Sequence, residues 1–195
     1  MTIQASMSTA FMTAAERAQL ERWLDHSHET FLAAIGDVAA IQWTWKPAPA
    51  RWSIGEAAEH VVLAEALMFG VVQGAVTDHP NPDWLTQTAG KTELLVRVMP
   101  SSRQGTAQAP DPTLPKQQLT SSQVVERFVR ERARIARFVA ETEHPVKAHT
   151  RVHPFPVFGT LNAYQWLVYI PLHTLRHAEQ IAAVRALADC PVAPT

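Results

Sequence analysis

Apolar residues recur at helical spacing in four stretches of the chain. In TAAERAQLERWLDHSHETFLAAIGD, Leu20, Trp23, Leu24, Phe31 and Ile35 gather on one side of a helix over roughly 13–36. Thr13 and Glu16 stand three apart at its start, the spacing of a reciprocal N-terminal capping box. A connector with Trp43, Trp45, Pro47 and Pro49 follows. Ser53 and Glu56 repeat the cap spacing and open a second helix, SIGEAAEHVVLAEALMFGVVQGAV, which runs to about 76 and is apolar around much of its circumference, as a buried helix is. Residues 77–120 lose the periodicity and are rich in proline and polar residues, with one periodic island near 91–98. That length of connection implies a long crossover between helices or the rim of a site.

A third helix is predicted over about 120–143, with Val125, Phe128, Val129, Ile135, Phe138 and Val139 as its apolar stripe. Its alternating arginines and glutamates are expected on a solvated face. After the linker 144–159, a fourth helix begins at about Thr160 and runs through TLNAYQWLVYIPLHTLRHAEQIAAVRALA. Pro171 inside it removes one backbone hydrogen bond and predicts a kink or a local 3₁₀ turn just before His173. No internal repeat and no alternating run long enough to build a sheet is present, so the pattern predicts one all-α domain over 1–195.

Composition narrows the function classes. The chain has 195 residues, a formal net charge of -1 and 18% charged residues, with no clustered basic stripe of the kind nucleic acid demands. A single cysteine, Cys190, allows neither an intrachain disulfide nor a cysteine metal knuckle, and reducing cytoplasm is the compartment that suits it. Cys190 also lacks an adjacent base that would make it a nucleophile. The first residues carry neither a basic region nor a continuous apolar run, and the later apolar segments are interrupted by Glu65, Gln73, Pro171 and His173; no signal peptide or membrane span is expected. Gly-rich phosphate loops, nucleophile elbows and dinucleotide fingerprints are missing from the sequence.

The candidate chemistry lies in histidines. His173 and His177 are four apart on the side of helix four that also carries Trp166, Tyr169, Ile170, Gln180, Ile181 and Val184. Two imidazoles one turn apart can chelate a single divalent ion, and His60, on the mainly apolar face of helix two, offers a third ligand. Three neutral imidazoles leave a coordination position for water or substrate. The spacing also fits ordinary hydrogen-bonded core histidines, because it lacks the glutamate of a zincin motif. Glu56 is either a ligand, a support for one, or merely the cap partner. Tyr169 and Gln180 are candidates for positioning water or an anion, Trp43, Trp45 and Trp52 for a pocket mouth or a hydrophobic plug, and His149 and His153 for approaching the cavity from their loop. His26, His28, His79 and His144 read as structural or exposed. No residue is singled out as catalytic.

The segment RWSIGEAAEHVVLAEALMFG, followed by HPFPVFGTLNAYQWLVYIPLHTLRHAEQI, resembles the DinB-like superfamily, with the likeness concentrated in W-S-x-x-E-x-x-x-H and the terminal H-T-L-R-H. The resemblance extends over essentially the whole chain. It implies a four-helix bundle with a long crossover between helices two and three, often dimeric, binding a divalent metal through His60, His173 and His177. It also implies an activity: characterised relatives include thiol S-transferases that use bacillithiol or mycothiol, and a mycothiol-dependent maleylpyruvate isomerase. The function expected from it is metal-dependent S-transfer from a low-molecular-weight thiol to a small-molecule electrophile. A non-catalytic metal or small-molecule binder and a metal-dependent hydrolase are the alternatives. Zinc and nickel suit an imidazole set best, and iron or manganese suit an open site with water. The expected partner is a small molecule, with no nucleic acid or membrane and with a second copy in a homodimer.

Overall fold

The computed structural model describes residues 9–99 and 109–191. Most of them are helical. Four long helices, α1 (Ala14–Ile35), α3 (Ile54–Thr77), α6 (Ser121–Glu141) and α7 (Ala163–Arg185), are joined by the short α2 (Ala40–Thr44), α4 (Trp84–Gln87) and α5 (Lys91–Val98) and by a 3₁₀ turn at Asp111–Thr113. The periodic island near 91–98 is α5. Each long helix begins with a capping box. The Thr13 and Ser53 hydroxyls accept from the N–H groups of Glu16 and Glu56 at 3.2 and 3.1 Å, and Thr120 with Gln123 and Asn162 with Gln165 repeat the arrangement.

Helix α7 starts at Ala163, three residues later than the sequence predicts, because Thr160–Asn162 pairs as β2 with β1 (Thr150–Val152) in an antiparallel hairpin. The sheet escaped the sequence reading because strands of three residues are too short to display alternation. Gly159, at φ +58°, takes the left-handed conformation in the return between them. Of the kink or 3₁₀ turn expected at Pro171, the 3₁₀ turn does not occur: α7 is α-helical throughout.

Helix α7 packs on α1 and α3, and α6 packs on the same two helices. By length and apolarity alone α3 could cross a membrane. Here its hydrophobic residues supply much of the shared interior: Ile54, Ala58, Val61, Phe69, Val72 and Ala75 are all buried. Near the start of α3, a Cβ placed on Gly55 would lie 2.5 Å from Trp43 Nε1. Gly55→Ala gains about 1 kcal/mol of helix propensity, but displacing the indole costs about 1–3 kcal/mol. A net loss of stability is expected in urea melts, and a gain would refute the close approach.

The stripe of α6 differs from the predicted one. Its buried residues are Val124, Phe128, Glu131, Arg132, Ile135 and Val139, whereas Val129 is 42% exposed. Arg132 therefore belongs to the interior and not to the solvated face, although Glu126 and Arg130 do form the expected surface pair. Counting only apolar residues shifted the phase, since a buried arginine holds a stripe position. Arg132 and Glu65 are 4% and 0% exposed, and their side chains bond through Nε to both carboxylate oxygens at 3.0 Å and through Nη2 to Oε1. Glu65→Leu would strand a buried guanidinium, an expected loss of about 3–5 kcal/mol. A lowered urea midpoint measures it.

Candidate metal centre

His60 projects from the second turn of α3, and His173 and His177 from successive turns of α7. The capping box at Ser53 fixes where α3 begins, and Trp52, the residue before the cap, lays its ring 4.8 Å from the His60 ring and 6.4 Å from that of His177. Tyr169, one turn ahead of His173 on α7, stacks on its ring at 5.8 Å. The three histidines are thereby held between two aromatic walls. His60 and His177 are 4% and 7% exposed; His173 is half-buried.

Their Nε2 atoms converge. His173 Nε2 lies 3.3 Å from His60 Nε2 and 3.2 Å from His177 Nε2. Nitrogens about 2.0–2.1 Å from a tetrahedral ion stand roughly 3.3–3.4 Å apart, so the observed edges suit a single cation. Proton bookkeeping points the same way. His60 Nδ1 sits 2.8 Å from the Thr113 carbonyl, which only accepts, so Nδ1 carries the proton and Nε2 presents a lone pair. His173 Nε2 cannot donate to that lone pair and also accept from His177, so the neutral trio satisfies at most one of its two contacts. Nδ1 of His173 and of His177 is buried without a hydrogen-bond partner among the described residues. A cation would take up all three lone pairs.

Protonation is a poor substitute. Burial pushes His173 well below the ordinary imidazole range, and the charges of His177, His60 and Arg176 add to the effect. Burial, with His60 and Arg176, takes His177 down to about 3. Burial also lowers His60, against the opposing hydrogen bond to Thr113. The fit is therefore good: three neutral imidazoles with converging acceptors, those of His60 and His177 buried and that of His173 with its Nδ1 buried, can hold a metal ion.

A family model of the DinB superfamily matches residues 15–181. The chain belongs to the DinB superfamily. Among curated proteins and solved structures, none matches it significantly.

The other candidate residues of this DinB superfamily chain separate cleanly. Glu56 is a cap partner: its Oε2 accepts from the Ser53 N–H at 2.8 Å and its Oε1 from Lys46 at 2.9 Å, away from the histidines. His153 approaches the centre from behind Tyr169, 4.9 Å from that ring and stacked on Trp166 at 4.8 Å. Its Nδ1 accepts from the Phe155 N–H, and burial lowers its pKa to about 4. His149 is buried elsewhere, beside Ala75 and Asp78 at the far end of α3. Gln180 is half-buried and near His177. Of the tryptophans, Trp52 lines the site, Trp43 is a plug whose Nε1 donates to the Leu119 carbonyl at 3.0 Å, and Trp45 packs on the same core as Trp43. His26, His79 and His144 are exposed, and His28 stacks on Phe128. Cys190 is buried near Gln42.

Two contributors escaped the sequence reading. The Thr113 carbonyl that orients His60 is main chain, which no motif reports. Glu59, next to His60, accepts from the N–H groups of Gln117 and Leu119 at 2.7 and 3.0 Å and straps the end of the crossover to α3. Adjacent residues of one helix thus bear the histidine and hold the end of the crossover that follows Thr113.

Proposed function

We propose that this chain is a divalent-metal protein in which His60, His173 and His177 bind zinc or nickel, and that it joins a low-molecular-weight thiol, through its sulfur and as the thiolate, to a small electrophile. In this reading the chain is a single domain, and α1, α3, α6 and α7 form a four-helix bundle whose long crossover, between α3 and α6, borders the site. It works in the cytoplasm as a homodimer and engages neither nucleic acid nor membrane. The observation that carries the reading is the placement of His173 Nε2 within 3.3 Å of His60 Nε2 and 3.2 Å of His177 Nε2, the edge length of a tetrahedral nitrogen set. A cation bound there supplies Lewis acidity, which lowers the pKa of an incoming thiol or water.

The surrounding residues favour a thiolate over water. Each carboxylate near His60 on α3 is occupied elsewhere: Glu56 by Lys46, Glu59 by two backbone amides and Glu65 by Arg132. Arg176 is the charged residue whose field reaches His173, His177 and Tyr169, and it is positive. A buried cation among neutral ligands calls for an anionic partner. His60 is aimed by Thr113, while Trp52 and Tyr169 provide apolar walls for the carbon skeleton of a ligand.

The test pairs the zinc-loaded protein with 1-chloro-2,4-dinitrobenzene and three thiols of graded charge: mercaptoacetate, 2-mercaptoethanol and cysteamine. In each transfer the thiol gives up its proton to buffer, the resulting thiolate forms a carbon–sulfur bond at the ring, and the carbon–chlorine bond breaks to release chloride. Turnover is expected to be fastest with mercaptoacetate and to vanish with chelation, and Arg176→Gln should erase the charge preference. Stoichiometric zinc without turnover of any thiol would favour the non-catalytic binder. Hydrolysis of activated esters without thiol would favour the hydrolase.

A further inference from the structure

Thr174 stands beside His173 in α7, and Glu65 lies five residues beyond His60 in α3. These neighbours of the histidines meet at Arg132 of α6. Arg132 has five N–H donors, and each finds an acceptor. Nε and one N–H of Nη2 go to the Glu65 carboxylate. The other Nη2 N–H goes to Thr174 Oγ1 at 3.1 Å. Nη1 donates to the Leu24 carbonyl at 3.0 Å and to Ser27 Oγ at 2.8 Å, both on α1. Thr174 Oγ1 in turn donates to Glu65, and Ser27 Oγ donates to the Leu24 carbonyl. One buried and fully satisfied network therefore ties all four long helices together, next to the residues that carry the imidazoles.

We infer that Glu65, Arg132 and Thr174 are positioning residues for the histidine centre, fixing the rotation of α7 against α3 at which His173 and His177 meet His60. A side-chain tip near the outer radius of a helix moves about 1 Å for each 10° of rotation, and a metal set tolerates only about half an ångström of error. The aliphatic packing around the network, from residues such as Val61, Ile170 and Ile135, yields to small rotations. Directional hydrogen bonds do not. A buried ion pair is weak evidence of stability relative to apolar residues of similar volume, and fixing register is its best-attested use. The satisfied geometry, with no donor of Arg132 left over, is what such a use requires.

The inference rests on the metal reading of the triad, and the experiment separates the two. Zinc affinity is measured by competition with a chromophoric chelator, and metal-free stability by thermal melting, for wild type, Thr174→Val and the double variant Glu65→Leu/Arg132→Met. Zinc binding is expected to weaken 10–100-fold, the range seen when outer supports of a metal ligand are removed. The double variant should melt at or above the wild-type temperature without metal, and cobalt-loaded samples should lose intensity in the tetrahedral visible bands. Wild-type zinc affinity in a folded double variant would overturn the inference. If the double variant does not fold, Thr174→Val decides, because it removes one hydroxyl at nearly constant shape; unchanged affinity there overturns the inference as well. A wild-type protein that binds no zinc would instead sink the metal reading, and the positioning role with it.

Discussion

His177→Ala, His173→Ala and His60→Ala are each expected to abolish tight zinc binding, with a loss exceeding the 10–100-fold typical of an outer-shell change. The measured quantity is the zinc-induced rise in melting temperature. For the wild type at a free metal concentration a thousand times the dissociation constant, binding to the native state alone stabilises by about 4 kcal/mol. In a chain of this length that corresponds to roughly 8–16 °C. All three variants should show almost none of it. Their metal-free stabilities should diverge, however. Among the described residues, His173 and His177 each bury an Nδ1 without a hydrogen-bond partner, so replacing either removes an unsatisfied polar group and offsets part of the lost packing. His60 has its Nδ1 bonded to Thr113, so its loss strands a carbonyl and loosens the strap beside Glu59. His60→Ala is therefore expected to be the least stable of the three without metal. A full zinc shift in any one of them would remove that histidine from the ligand set.

The parts of this molecule that were legible in the sequence are those governed by local rules. Thr13 with Glu16 and Ser53 with Glu56 mark helix starts because the reciprocal bonds span only three residues, and they form as expected. His173 and His177 must point the same way wherever α7 is helical. That His60 would reach them depends on packing between distant elements; the resemblance to the DinB family suggested the match, and spacing alone left it open. Arg132 shows what pattern reading misses. A buried charge has the same letter as an exposed one, and only the partners Glu65, Ser27 and Thr174, drawn from three other helices, make its burial tolerable. The Thr113 carbonyl and the hairpin at 150–162 were hidden for related reasons: one is backbone chemistry, and the other is made of strands too short to carry a period.

Acid should destabilise the metal-free protein well above the range in which carboxylates titrate. His60, His149, His153, His173 and His177 all have folded pKa values pushed below the ordinary 6.5 by burial, to about 4 for His153 and about 3 for His177. The unfolded chain therefore binds protons first as the pH falls. Their contribution to stability is complete above about pH 6.5, declines below it, and is exhausted once the folded forms titrate. Each such histidine contributes a slope of up to about 1.4 kcal/mol per pH unit, and His153 alone, moving through its whole window, accounts for roughly 3 kcal/mol. Against a typical domain stability of about 5–15 kcal/mol, even one such histidine is a sizeable share, and the others act in the same direction. Glu16, whose pKa is lowered from 4.5, contributes only at lower pH and does not confuse the window. Urea midpoints at pH 7.5, 6.5, 5.5 and 4.5 test this. A steep fall is expected below pH 6.5, and His153→Phe, which suits the ring pocket of Trp166, Phe158 and Tyr169, should flatten it by about one histidine's slope. Midpoints that stay level from pH 7.5 to 4.5 would mean that these imidazoles are not buried in neutral form, and the case for converging lone pairs would fall with them.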